Sequence, residues 1–318
     1  MFSRRTVALA VLSSLLLTGC SVISEILPDA AITNVLSGRE GINGPVLVVK
    51  IDDTTQAHPQ VGLEDADIVY IEQVEGGLTR LAAVFSSVIP QRIGPVRSAR
   101  ISDIEILSQF GRVAFAYSGA QRKLLAVIAA ANLQDLGAQR QSPTIFTTDP
   151  NRIPPYAMVL RADLLMQLIQ EKGFVIDSAK SIGFTFGSLP EGGAVTEKVV
   201  MNWPAATYSA TWSEEDGRWL LSHNNAVNYA DSGLVLGPST LIIQMVSITP
   251  SEYKDKVGGV TPFSQTVGSG KAYVLRDGQR FTTTWTRPSA EAGTTFTFAD
   301  GTIMNFDPGQ IWIALTDR

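Results

Sequence analysis

The sequence predicts an α+β fold, with an N-terminal α/β layered part built on a mixed sheet and a C-terminal part that is mainly antiparallel β. Two observations carry that reading. Over residues 44–190, apolar strand-like runs alternate with amphipathic helical segments, the pattern of layered α/β architecture. Beyond Gly192, β-branched and aromatic residues alternate with polar ones between Asp-Gly and Pro-Gly turn signals, as antiparallel hairpins require.

The elements follow in order. Residues 1–19 read as a signal peptide, with Arg4 and Arg5 ahead of an apolar run from Val7 to Leu17 and a small-residue cleavage region. Leu17-Thr18-Gly19-Cys20 matches a bacterial lipobox, so Cys20 is the expected lipidation site, carrying acyl chains such as palmitate. The apolar run falls short of the ~20 residues that span a bilayer. Residues 20–43 read as a lipid-anchored tether, within which Asp29 caps a short helix through Leu36. Strands are expected at 46–51 and 68–74, with Gly76-Gly77 as a two-residue turn into a strand over 79–85 that sets Glu75 and Arg80 on one face. Ser102-Asp103-Ile104-Glu105 reads as a capping box opening a helix over 102–110, with Gly111 as its stop. A strand over 113–117, an amphipathic helix over 121–131 and a helix over 163–172 ended by Gly173 complete the N-terminal domain, 44–190. In the C-terminal domain, 191–318, Tyr208, Ala210 and Trp212 share a face, and Trp219 and Leu221 lie on the return strand after a turn over 214–217. Asp277-Gly278, Asp300-Gly301 and Asp307-Pro308-Gly309 mark further turns.

Composition narrows the function. Of 318 residues, 45% are hydrophobic and only 17% charged, with a mean hydropathy of +0.13, so a sizeable core is expected and long-range disorder is excluded. Lys plus Arg (25) against Asp plus Glu (30) gives a net charge of −5, so no nucleic-acid partner is expected and any anion site must be local. Cys20 is the lone cysteine, which leaves no disulfide or CxxC site, and His58 and His223 are the only histidines. No metal and no cofactor are therefore expected.

Polar residues concentrate between Asp52 and Arg100: Asp52, Asp53, His58, Asp67, Glu72, Glu75, Arg80, Arg92, Arg97 and Arg100. Gly94-Pro95-Val96-Arg97-Ser98-Ala99-Arg100 ends two guanidinium groups just before a predicted helix start. Free N–H groups there and bidentate arginine donors suit phosphate, sulfate or carboxylate. The expected ligand-binding set is Arg80, Arg97, Arg100, Glu75, Glu72 and Asp67. The competing reading pairs the arginines with Asp52, Asp67, Glu72 or Glu75 as fold architecture. A hydrolase using Asp52, Asp53, Glu72 and Glu75 on a glycan or phosphoester is the alternative function. Ser-His-Asp chemistry lacks a GxSxG elbow. Gly268-Ser269-Gly270-Lys271-Ala272 fails as a phosphate loop, with Gln265 and Ala272 at positions that need glycine and a hydroxyl, and reads as a strand bend.

Several strings together resemble the YerB-like lipoprotein family: His58-Pro59-Gln60-Val61-Gly62-Leu63, Ala66-Asp67-Ile68-Val69-Tyr70, Val74-Glu75-Gly76-Gly77-Leu78-Thr79-Arg80 and Ile93-Gly94-Pro95-Val96-Arg97-Ser98-Ala99-Arg100. Gly268-Ser269-Gly270-Lys271-Ala272, Thr284-Trp285 and Pro308-Gly309-Gln310-Ile311-Trp312 continue the likeness, which covers residues 43–316. The resemblance implies an envelope lipoprotein of two linked domains with no established activity. Pro154-Pro155-Tyr156-Ala157-Met158 stands where the family carries a Pro-His-Asn element, and His58 where it carries an arginine.

The expected protein is lipid-anchored to the cell membrane or outer membrane and faces outside the cytoplasm. It binds an anionic small molecule, a cell-wall component or an envelope partner, and leans away from catalysis.

Overall fold

The computed structural model describes residues 32–318. Strands β1 (Leu47–Asp52), β2 (Ile68–Gln73) and β3 (Thr79–Phe85) are nearly unbroken apolar runs because both of their faces are covered. The chain continues through β4 (Arg92–Ile93), α1 (Ile101–Ser108), β5 (Val113–Ala116), α2 (Arg122–Ala130), β6 (Leu133–Asp135), β7 (Phe146–Thr148), β8 (Met158–Arg161) and α3 (Ala162–Lys172). Strands then dominate: β9 (Thr185–Phe186), β10 (Ala194–Val195), β11 (Lys198–Trp203), β12 (Ala206–Ser213), β13 (Arg218–His223), β14 (Ala226–Val227), β15 (Thr240–Lys254) and β16 (Val260–Gln265). The last five are β17 (Gly268–Arg276), β18 (Gln279–Arg287), β19 (Thr295–Thr297), β20 (Asn305–Phe306) and β21 (Ile311–Asp317).

The fold is α+β, as its sequence pattern predicts, with a mixed N-terminal sheet and antiparallel C-terminal strands. Both parts enter one twelve-stranded sheet in the order β10, β18, β17, β15, β21, β2, β3, β1, β5, β6, with β16 added on β15 and β19 on β18. The C-terminal strand β21 makes the join. It runs parallel to β2 from Ile68↔Ile311 to Ile71↔Ala314, and parallel to β15 from Thr240↔Ile311 to Val246↔Asp317. Helices α1 and α2 cover one face, burying Ile106, Leu107, Leu124 and Ile128 against Val48, Tyr70, Val84 and Phe115. The other face packs on α3 and on the small sheet β11–β14, whose Trp203, Tyr208, Trp219 and Leu221 join a core with Ile51, Val69, Leu81 and Trp312.

Three local expectations are corrected. The first part of the tether, with Cys20 and Asp29, lies outside the described residues. From Ile32 onward the chain is packed rather than free: Asn34, Leu36 and Ser37 are fully buried, and no helix forms over 32–38. The β2–β3 connection is a five-residue loop instead of a two-residue turn, closed by Val74 N donating to the Leu78 carbonyl at 2.8 Å, so Glu75 reaches the Arg80 side of the sheet from a loop rather than from a strand position. The N-cap of helix α1 lies two residues early, at Arg100 rather than Ser102. Asp103, not Glu105, reaches back, with its Oδ2 accepting from Arg100 N at 2.6 Å, while Ser102 and Glu105 accept N–H bonds from Ser264, Thr266 and Val267. Tertiary contact with the β16 end outcompetes the local cap. The Gly268 segment opens β17 with Gly268 at φ 124°, a backbone conformation that favours glycine, and Gly270 is needed for close approach: a Cβ there would sit 2.7 Å from Trp285 Nε1.

Candidate functional site

Strand alternation builds the site. On β1, Lys50 and Asp52 project to the helix-covered face while Ile51 projects to the other. Antiparallel register sets Asp52 opposite Arg80 and Glu72 opposite Arg80 as well, so all of these polar groups leave the same face near one end of the sheet. The segment after β4 then threads past that end. Arg97 N donates to the Lys50 carbonyl at 2.8 Å, Ser118 N to the Arg97 carbonyl at 2.9 Å and Ala99 N to the Gly119 carbonyl at 2.9 Å.

The result is a cleft of about 740 Å³ floored by Arg80, Arg97, Arg100 and Glu75. Its rim includes Gln121 and Arg122 at the start of α2, and Lys254 and Lys256 at the tip of the β15–β16 hairpin. Val96, Leu124, Pro155 and Met158 give it an apolar side. Arg100 donates from Nε (2.9 Å) and Nη2 (2.7 Å) to Glu75 Oε2, and Thr261 Oγ1 donates to the other Glu75 oxygen. Burial works to raise the Glu75 pKa, but the Arg100 hydrogen bonds and charge outweigh it and hold the carboxyl below its ordinary value. Arg97 Nε lies 2.5 Å from Asp52 Oδ2 without hydrogen-bond alignment, and its guanidinium sits 5.8 Å from the Tyr156 ring centroid. Arg80 donates Nη1 to the Ser98 carbonyl at 3.0 Å and has no carboxylate in ion-pairing distance among the described residues. Burial, with Arg100 and Arg97 nearby, pushes its pKa down to about 10, against the opposing pull of Asp52 and Glu75.

Four of the six expected ligand-binding residues therefore share one cleft, and two do not. Glu72 is fully buried under α1, where it and Asp103 (2.7 Å) flank Lys50 Nζ. Its place on β2 points it inward, and α1 closes over it. Asp67 lies at the opposite end of β2. It accepts from Ser37 Oγ (2.6 Å), Arg39 Nε (3.1 Å) and the Ser86 and Ser87 N–H groups (2.7 and 2.9 Å), and so ties down the segment after Ile32. The helix start at the cleft is also not that of α1, whose first turn is occupied by Asp103 and the β16 end; it is α2 that opens onto the cleft. The lysines of the hairpin tip, 150 residues downstream in the chain, carried no local signal.

The carboxylates do not form an acid–base pair across the cleft. Glu75 is held by Arg100 and Thr261, and Asp255 Oδ1 accepts from Val257 N (3.0 Å) and Gly259 N (2.7 Å) in its own turn.

Asp53 faces the other side of the sheet and meets two histidines that spacing did not connect. Tyr208 OH (2.6 Å) and Thr79 Oγ1 (2.5 Å) donate to its carboxylate, and His58 Nε2 lies 3.3 Å from Oδ1 and His223 Nε2 4.0 Å from Oδ2. Burial acts to raise the Asp53 pKa, but the hydrogen bond and charge of His58, with His223 and Thr79, hold it low. The three side chains could offer ligand atoms within 4.8 Å of one another, yet the imidazoles are stacked, 4.5 Å between centroids and 11° between planes. In-plane lone pairs of parallel stacked rings do not converge on one ion, so this arrangement does not fit a metal.

Comparison with known proteins matches this architecture. The crystal structure of the YerB protein from Bacillus subtilis superposes with a TM-score of 0.75 at 19% identity, covering 90% of this chain and 97% of that one, a likeness of fold. A second match, to "Putative lipoprotein YerB" of Bacillus subtilis (strain 168), is 50% identical over 56 residues and spans 18% of this chain and only 17% of that relative. Residues 32–175 match the family described as "Protein of unknown function (DUF3048) N-terminal domain", and residues 199–313 its C-terminal domain. With both domains matched over most of its length, the chain belongs to the YerB-like DUF3048 family.

Proposed function

We propose that this chain is a lipid-anchored protein of the bacterial cell envelope, facing outside the cytoplasm, that binds an anionic ligand in the arginine cleft. Charge balance is the observation that carries the binding half. Arg80, Arg122, Lys254 and Lys256 line one cleft with no ion-pair partner among the described residues, while its acids, Glu75 and Asp255, are engaged by Arg100, Thr261 and backbone N–H groups. Unpaired cations at the mouth of a partly apolar cleft attract and orient an anion. The anchoring half rests on the Leu17-Thr18-Gly19-Cys20 motif and on the lipoprotein name of the matched relative. Among the described residues no helix is long and apolar enough to cross a membrane.

Two measurements test the two halves separately. Calorimetric titration with inorganic phosphate should give saturable binding to the wild type, weakened at least roughly tenfold in Arg97→Ala by loss of a charged hydrogen bond; absence of binding by any small oxyanion would end the cleft reading. Metabolic labelling with a fatty-acid analogue should label the wild type and not Cys20→Ala.

A further inference from the structure

The cations of the cleft stand in two tiers. On the floor, Arg80, Arg97 and Arg100 crowd together closely enough that Arg100 and Arg97 both depress Arg80. On the rim, Arg122, Lys254 and Lys256 are exposed and unpaired among the described residues. The hairpin tip is a fixed platform: Asp255 N donates to the Gly259 carbonyl at 2.8 Å, and Asp255 Oδ1 takes the Val257 and Gly259 N–H groups, so its charge is spent on its own turn rather than on the flanking lysines.

Building on the anion-cleft reading above, we infer that the ligand is a phosphate-bearing chain, with one phosphoryl group seated on the floor arginines and further anionic groups of the same chain running out past Lys254 and Lys256. Arg100 spends Nε and Nη2 on Glu75 and Nη1 on the Ser98 and Ala99 carbonyls, so Arg80 and Arg97 are the floor groups that keep N–H donors for a ligand, and two guanidinium forks lining one cleft are best filled by an anion with at least three acceptor oxygens. A phosphoryl group has them and a carboxylate has two. A single phosphate on the floor leaves the three rim cations uncompensated, which a second and third charge on a continuing chain would neutralise. A cleft of about 740 Å³ is large for one oxyanion and suits several repeating units.

The test uses the detergent-solubilised full chain, titrated calorimetrically with orthophosphate, tripolyphosphate and, as the carboxylate control, poly-glutamate. Affinity should rise by at least about tenfold from orthophosphate to tripolyphosphate, one charged contact's worth, and log affinity for tripolyphosphate should fall more steeply with log salt. The double variant Lys254→Gln/Lys256→Gln, altered at the exposed end of β15 and its turn, should lose that gain, so that its affinities for orthophosphate and tripolyphosphate become equal. Equal binding of the two phosphates, a gain that survives in the double variant, or poly-glutamate binding as tightly as tripolyphosphate would each overturn the inference while leaving an anion cleft standing. Failure of every anion to bind would remove the underlying reading as well.

Discussion

Asp52 and Asp53 are adjacent in the chain and serve opposite faces of one sheet. Asp52 Oδ2 lies 2.5 Å from Arg97 Nε on the cleft side, while Asp53 Oδ1 accepts the Tyr208 hydroxyl at 2.6 Å on the side of the small sheet. The end of β1 thus feeds two polar clusters of different character. One is open, cationic and incompletely paired; the other is buried and closed on itself.

The open cluster should trade stability for binding. Arg80 is largely enclosed and has no carboxylate partner within ion-pairing reach among the described residues, so Arg80→Met removes an uncompensated cation and keeps the packing stem. Thermal melts should show a melting temperature unchanged or raised, with phosphate binding reduced at least roughly tenfold. A variant that melts several degrees lower would mean that Arg80 is a structural member of the sheet end.

In the closed cluster the two imidazoles should titrate apart. Burial disfavours charge on His58, but Asp53 and Asn228 outweigh it and hold its pKa above the ordinary 6.5; on His223 burial dominates, with the His58 charge adding to it, and the pKa falls below 6.5. The raised group stabilises the fold below 6.5 and loses that contribution as pH rises through its folded value. The depressed group stabilises above 6.5 and loses its contribution as pH falls through its own. Because the chain has 2 histidines, imidazole NMR gives two resolvable curves, and His58→Gln assigns them. Coincident midpoints near 6.5 would contradict the stacked, shared-carboxylate geometry.

Under α1, Lys50 is flanked by two carboxylates, and one positive charge cannot compensate both. Burial, reinforced by Asp103, pushes the Glu72 pKa from 4.5 to about 7 against the pull of Lys50. The folded protein therefore holds a proton that the unfolded chain releases, and the stabilisation is present below about pH 4.5 and fades as pH rises through about 7. Glu72→Gln should flatten that decline in chemical-denaturation measurements across the same window. An unchanged slope would show that Glu72 is ionised throughout.

The join made by β21 should be sensitive to its central anchor. Trp312 is fully buried, donates Nε1 to Gln310 Oε1 at 2.7 Å and packs with Tyr208. Trp312→Ala should cost about 3–5 kcal/mol, as large aromatic truncations in cores do. Hydrogen exchange should then show faster exchange in both β2 and β15, since both ladders lean on this strand. Loss of protection in β15 alone would show that β2 does not depend on it.

Sequence by itself determined what depends on near neighbours in the chain. Apolar runs marked β1 and β2, and the Gly76-Gly77 pair marked the start of β3; period-two alternation marked β12 and β13; helical spacing marked α2, and Gly173 marked the end of α3, whose last residue is capped by that glycine at φ 64°. The arginine floor was legible too, because Arg80, Arg97 and Arg100 come from strand ends and a connecting segment close together in sequence. Only tertiary structure decided which groups meet across long separations. The capping signal at Ser102 was overridden because Ser264 and Thr266 offered its side chains N–H partners from more than 160 residues away, and Glu72 was lost to the cleft because α1 folds over it. Lys254, Lys256 and the His58–His223 stack were invisible for the same physical reason. Side-chain direction follows from local backbone period, whereas the choice of facing partner follows from strand order, and here that order is set by a final strand inserted between the two halves of the sheet.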